Sequence, residues 1–289
     1  MDVFKEALSL NRSPSPQHPN AMNCFVCSGQ MTRYHKIRHL PILRCRFCGF
    51  MTLNLEEWQN PYAHKDYYSD SDFSAIDPER SFIRHRIKRL SQWAQRGGRC
   101  AELGSGSGET ALALMRAGFR VDAVDDSRMA IDFLRNRYPE VNWTCGNIID
   151  FLTTASDHAY DLITLYHILE HLTNLDKLCE QIPRVLKPGG ILVIEVPNLD
   201  GLHARLMGSR WHYYVAHHVN YFNDEILIRY LKPFGLEHIE TEKKFHFSHP
   251  QGNLLKDLIK SVLCGIGFAD IICTYWKSTG FNSRHVNGQ

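Results

Sequence analysis

Nothing in this sequence stays apolar for long enough to cross a membrane. The nearest stretch, Leu258 to Trp276, is broken by Lys260 and Asp270, and a buried helix or strand pair accounts for it better. No apolar run follows Met1, so a secretory signal is not expected. Charge of one sign is also scarce. A net charge of +2 over 289 residues gives no electrostatic reason to expect a nucleic-acid partner. No internal repeat is visible. The nine cysteines are odd in number. Without a secretory signal, reduced thiols and a metal site fit them better than a disulfide framework, and a cytoplasmic setting is expected. The 44% hydrophobic content suffices for one large domain and a small accessory module.

The polar, proline-rich opening, with Ser13-Pro-Ser-Pro-Gln-His-Pro, reads as a flexible arm over 1–20. A compact module follows over 21–55. Cys24 and Cys27 form one CxxC turn and Cys45 and Cys48 a second, with seventeen residues between the pairs. Four thiolates close a tetrahedral shell and leave no position for water or substrate, so a structural zinc ion is expected. The segment is too small for a core of its own, and the metal would supply much of its folding energy. Residues 56–95 read as a helical connector. A helix is expected from Pro78 to Trp93, with Phe82, Ile83, Ile87, Leu90 and Trp93 on one face. Arg84, Arg86, Lys88 and Arg89 crowd the other and are read as a solvated surface, in preference to a lid aiming an arginine at a bound carboxylate.

The rest is organised around Arg99-Cys-Ala-Glu102-Leu-Gly104-Ser105-Gly106-Ser-Gly108. A short apolar strand enters a loop with glycine at every second position, and a helix pattern takes over at Thr110. Glycine permits positive φ and lets a ligand come close to the backbone. Asp125 ends a second apolar run twenty-one residues beyond Gly104, a spacing that suits a ribose-binding carboxylate. Strands are expected at 99–103, 120–124, 141–145, 160–165 and 191–196, with helices between several of them and Ser127 capping the helix at 128–138. This alternation argues for a doubly wound, mainly parallel α/β sheet with ligands at the carboxyl ends of its strands. Asn223 should cap a helix ending at Leu231, and 236–243 should be a strand. No strand is assigned in the segment 246–289. Asp122 is read as a solvated strand residue.

Taken in register, Glu102 to Gly108, Asp125, Gly146-Asn147, the run Tyr160 to Leu172 and Arg184-Val-Leu-Lys-Pro-Gly-Gly190 resemble the successive motifs of class I S-adenosylmethionine-dependent methyltransferases. The resemblance covers about residues 99–240 and implies a seven-stranded-type Rossmann-like core, bounded here at 96–245. The cysteine pairs followed by Tyr62 and Asp66-Tyr67-Tyr68 resemble a subgroup with an N-terminal zinc-binding segment. The resemblance also implies roles. The backbone of Gly104, Ser105 and Gly106, with Gly108, would pass under the cofactor S-adenosylmethionine. Glu102 would help to hold its ammonium end, directly or through the loop amides, and Asp125 its ribose hydroxyls. Asp126 and Ile148 would flank the adenine, Asn147 would bind its amino group, and Tyr166 and His167 would lie near the sulfonium methyl. Asn147 departs from the aspartate of many relatives, but its amide oxygen can still accept.

The acceptor must be read elsewhere. Trp211-His-Tyr-Tyr-Val-Ala-His217-His218-Val-Asn-Tyr-Phe222, within an insertion at 201–222, could cover the pocket, shed water and place a base. His217 and His218 are the first candidates for that base, with His167 in reserve. No carboxylate cluster accompanies His217 and His218, so they are not read as metal ligands. The resemblance, whose zinc-bearing subgroup includes enzymes tailoring sugars and polysaccharides, implies methyl transfer to a small-molecule or saccharide-like acceptor, at oxygen first and at carbon or nitrogen behind it. No Asp/Asn-Pro-Pro-Tyr motif follows the fourth strand, which weakens N-methylation of amides or bases. An NAD-dependent oxidoreductase would require GxGxxG, and a non-catalytic binding module would have no need of the cofactor motifs. The oligomeric state is not legible.

Overall fold

The computed structural model describes residues 23–35, 37, 39–58, 73, 76–244 and 269–280. The arm at 1–20, Tyr62, Asp66, Tyr67, Tyr68, and most of the run from Leu258 lie outside the described residues, as does Cys264.

Two sheets build the molecule. The larger contains β4 (Arg99–Leu103), β5 (Arg120–Asp125), β6 (Asn142–Cys145), β7 (Tyr160–Tyr166), β8 (Leu186–Pro197), β10 (Leu236–Lys244) and β11 (Ile271–Ser278). Their order is β10-β11-β8-β7-β4-β5-β6. The five strands from β4 to β8 are parallel, and β11 runs antiparallel to both β8 and β10. The central strands are apolar on both faces because helices cover both, as an all-parallel arrangement demands. The doubly wound α/β fold expected from the sequence is therefore present. The seventh strand comes from the segment to which the sequence reading assigned none. Trp276, Tyr275 and Cys273 of β11, which lies between β10 and β8, are buried, so the core extends beyond 245.

The helices are α1 (Ser81–Leu90), α2 (Glu109–Arg116), α3 (Arg128–Arg137), α4 (Ile148–Thr154), α5 (Leu175–Val185), α6 (Leu202–Met207) and α7 (Asp224–Leu231). Ser127 accepts the Ala130 amide and Asn223 the Ile226 amide, each an N-cap of the expected kind. Helix α4 is an addition, capped by Asn147 accepting from Ile149. Asp122 is not solvated: it is buried, pairs with Arg99 Nε at 2.7 Å and accepts from Asn142 Nδ2 at 2.8 Å. Those partners lie on neighbouring strands, so the carboxylate braces the sheet. Among the described residues no helix is long and apolar enough to cross a membrane.

The smaller sheet has the order β1-β2-β3-β9, from β1 (Met31–Arg33), β2 (Ile42–Cys45), β3 (Met51–Leu53) and β9 (Asn220–Tyr221), antiparallel throughout. Strand β9 lies in the aromatic and histidine insertion. Trp211, Val219 and Tyr221 share one apolar cluster with Ile42, Met51 and Leu53. The two segments thus bury each other.

Candidate active site

The glycine loop leaves β4 with Gly104, Gly106 and Gly108 at φ +77, +54 and +78, values that favour glycine. A Cβ on Gly104 would stand 2.0 Å from Ile168 Cδ1, so a side chain here requires the Ile168 side chain to move. The amides of Gly104 and Ser105 both donate to the Val124 carbonyl, at 2.8 and 3.0 Å, which ties the loop to the end of β5. There Asp125 accepts the Gly106 N–H on Oδ2 at 2.8 Å and the Ser127 N–H on Oδ1 at 3.0 Å. Each oxygen keeps a second lone pair. Burial pushes this carboxyl up against the pull of those two amides.

Glu102 lies beneath the loop, 3% exposed. Its Oε2 has no hydrogen-bond partner among the described residues. Burial pushes its pKa up to about 8, although the Arg86 charge opposes the shift. A buried carboxylate oxygen without a partner destabilises the free protein, and a cationic group would match it. Of the other residues expected here, Ile148 is buried, Asp126 is exposed on the rim, and the Asn147 oxygen is engaged as the α4 cap.

Behind the loop is a polar network that the sequence did not announce. Arg86 is buried, correcting its reading as a solvated surface residue. Its guanidinium lies 3.8 Å from the Tyr166 ring centroid, donates to Thr110 Oγ1 at 3.1 Å and pairs with Glu195 at 2.6 Å. Lys244 approaches the other oxygen of Glu195 at 2.5 Å. Amphipathic spacing alone could not single out Arg86 from its three basic neighbours, because its partners are on β7, β8 and α2.

His167 follows β7 at φ +58, a backbone state costing about 1 kcal/mol or more for a non-glycine residue. Its Nδ1 lies 3.2 Å from Glu170 Oε1 and its Nε2 3.2 Å from Glu195 Oε1. Burial alone would lower its pKa, but these two carboxylates raise it to about 9. A cation with both nitrogens on carboxylates cannot take a proton near neutral pH. The reserve role of His167 as base is therefore not supported.

The insertion divides in two. Trp211, Tyr221 and Phe222 are core residues, so these aromatics brace the insertion. His217 and His218 come to the turn after β7, where the His171 ring stacks on that of His217 with centroids 5.4 Å apart. Burial lowers the pKa of both, that of His218 to about 3. The four knuckle cysteines also converge. Cys24 and Cys48 sulfurs are 3.6 Å apart and those of Cys27 and Cys45 3.5 Å. Sulfurs sharing a tetrahedral ion at bonds of about 2.3 Å stand about 3.8 Å apart, so this set could hold one. The amides of Phe47 and Cys48 point at Cys45 Sγ, each at 3.4 Å; although burial pushes that thiol up, they help to bring it to about 7.

A family model described as a methyltransferase domain matches residues 77–241, more than half of the chain. The chain belongs to this family. Its core is a class I S-adenosylmethionine-dependent methyltransferase domain. A probable S-adenosylmethionine-dependent methyltransferase of Mycolicibacterium smegmatis is 30% identical over 124 residues, covering 40% of this chain and 45% of that protein. A ubiquinone biosynthesis O-methyltransferase of Coxiella burnetii is 28% identical over 118 residues, covering 39% and 50%. The chain thus spans about half the length, or less, of these curated relatives. In fold, it is similar to a solved methyltransferase from Archaeoglobus fulgidus, with TM-score 0.51 and 20% identity over 68% of this chain and 93% of that one. The methyltransferase match ends before β11, although that strand completes the sheet.

Proposed function

We propose that the chain transfers a methyl group from S-adenosylmethionine to an oxygen of a small-molecule or saccharide-like acceptor. The observation that carries this reading is Glu102, buried with an unpartnered oxygen directly below a glycine loop that Asp125 ties in place. Glu102 would accept the ammonium end of the cofactor. The backbone of Gly104, Ser105, Gly106 and Gly108 would pass under it, and the remaining lone pairs of Asp125 would take the ribose hydroxyls. Asp126, Asn147, Ile148 and Tyr166 complete the expected binding set. The bound sulfonium supplies an activated methyl group, so the protein's task is to orient the acceptor, exclude water and take a proton. His217, half-buried on the insertion, is the proton acceptor in this reading. His218, at about 3, is too weak a base. The preference for oxygen is supported by the similarity to an O-methyltransferase.

Cys24, Cys27, Cys45 and Cys48 are proposed to hold a structural zinc ion, and residues 21–55 to act as the module that it folds. The exchangeable thiols this requires fit a reducing, cytoplasmic setting. Calorimetric titration with S-adenosylmethionine, its demethylated product and NAD tests the reading. The first two should bind and NAD should not. Binding of NAD alone, or of none of the three to folded protein, would overturn it. A labelled-methyl screen of hydroxylated small molecules and saccharides then identifies the acceptor.

A further inference from the structure

Three side chains from separate parts of the chain meet beyond the end of β7. Glu170 and His171 stand in the 3-10 turn Leu169–His171, and His218 lies just before β9. Forty-eight positions separate Glu170 from His218, so the sequence reading, which found no carboxylate beside the histidine pair, is corrected here. One ligating atom of each residue lies within 4.8 Å of the others. The His171 and His218 rings meet edge to face, with centroids 4.8 Å apart and planes crossing at 78°. Donors at about 2.1 Å from one ion stand at most about 4.2 Å apart, so small side-chain adjustments close the set.

Each residue is prepared as a ligand. Glu170 is 1% exposed. Its Oε1 faces His167 Nδ1, while its Oε2 has no partner among the described residues. His171 Nδ1 lies 2.9 Å from the His217 carbonyl. A carbonyl only accepts, so Nδ1 carries the proton and Nε2 keeps its lone pair, the arrangement found in metal-ligating histidines. His218 is buried and its Nδ1 also lacks a partner among the described residues. Two unpartnered buried atoms on one small cluster are uncommon unless something binds there.

We infer that Glu170, His171 and His218 form a second metal site, holding a divalent first-row transition ion through one carboxylate and two imidazoles. Two imidazoles favour such an ion over magnesium, which prefers oxygen donors and retained waters. Three protein ligands leave positions open. An acceptor oxygen occupying one of them would be oriented beside His217 and made more acidic. That use of the site rests on the methyltransferase reading, whereas ion binding does not. The site therefore selects acceptors that present a hydroxyl with a second oxygen nearby, such as a vicinal diol or a hydroxy acid.

The test begins with protein carrying one zinc per chain at the cysteine site. It is titrated with cobalt(II), followed by metal analysis after gel filtration and by absorption. One added cobalt per chain is expected, with nitrogen and oxygen ligation and no thiolate charge-transfer band. Glu170→Gln and His218→Gln should each weaken its binding about 100-fold or more, since even removing a supporting residue costs metal sites 10–100-fold. Both should keep the zinc, and circular dichroism checks their folding. No added cobalt in the wild-type protein overturns the site whatever the variants do, as does undiminished cobalt in both folded variants. S-adenosylmethionine titrated into the same samples separates the two readings. Cofactor binding without cobalt removes only the metal site, and cobalt without cofactor binding removes only the methyltransferase reading.

Discussion

Glu102 carries the sharpest consequence of burial at the residue scale. A carboxyl raised from 4.5 to about 8 binds its proton more tightly folded than unfolded. It therefore contributes stability below about pH 4.5 and loses that contribution as pH rises through about 8. An ammonium group needs the ionised form, so cofactor binding should release a proton near neutrality, and affinity should rise with pH towards 8 and then level. Glu102→Gln should weaken binding by about 1.5–3 kcal/mol, the scale of a charge-assisted hydrogen bond, and flatten this pH dependence. Calorimetry in buffers of different ionisation enthalpy reads both effects; an unchanged proton release in the variant would exclude Glu102 as the source. His217 makes a second, kinetic prediction. His217→Gln should slow single-turnover methyl transfer by about 10²–10⁴-fold, the usual contribution of a positioned base, with cofactor affinity unchanged. A raised KM with turnover intact would leave His217 as a binding group only.

At the scale of elements, the loop between β4 and α2 depends on backbone that no other residue can replace. Gly104→Ala forces a side chain into positive φ and against Ile168 at 2.0 Å. The backbone part costs about 1–2 kcal/mol and the overpacking about 1–3 kcal/mol more. The variant should melt several degrees lower and lose cofactor affinity. Gly97 is the control: it is also at positive φ, but a Cβ there would meet nothing within 4 Å. Gly97→Ala should carry the backbone cost alone and bind the cofactor normally. Equal losses in both variants would show that the contact with Ile168 is immaterial. Helix α1 follows the same logic of hidden partners. Amphipathic spacing locates this helix, which at Ser81–Leu90 is shorter than the expected 78–93 and leaves Phe82 and Trp93 exposed, and Arg86 anchors it to β8 through a buried ion pair.

For the whole molecule, the cysteine module and the insertion form one unit. Leu53 donates its amide to Val219 O at 2.8 Å, and Val219 donates its own to Glu170 O at 2.7 Å. Metal lost from the cysteines should therefore be felt at the histidines, through β3 and β9. With a zinc chelator, or in Cys45→Ser, amide exchange at Leu53 and Val219 should accelerate together and the 201–222 segment should become open to proteolysis. The face of the seven-stranded sheet built on Leu112, Val121, Ile131 and Tyr275 should keep its protection, because that apolar cluster contains none of the module's residues, whereas the opposite face shares its cluster with Cys24, Val26, Met31, Cys45 and Phe50. Exchange that accelerates at Leu53 while Val219 stays protected would show the two parts to be independent.

Short-range patterns are legible in the chain before it folds. Alternating strands and helices, the glycines that need positive φ, the caps at Ser127 and Asn223, and two CxxC turns all depend on neighbours a few residues away. Each of these stands where it was expected. The tertiary structure alone decided the burial of Arg86, the double clamp on His167, the bracing role of Asp122 and the meeting of Glu170 and His171 with His218. It also decided that β11 fills the gap between β10 and β8. Arg86 and Glu195 are 109 residues apart, and β11 pairs with β8 at a separation of about eighty residues. Local periodicity carries no information about which distant charge or ligand will share a buried space. Only packing settles that, because a buried polar group is tolerated where a partner from elsewhere in the chain reaches it.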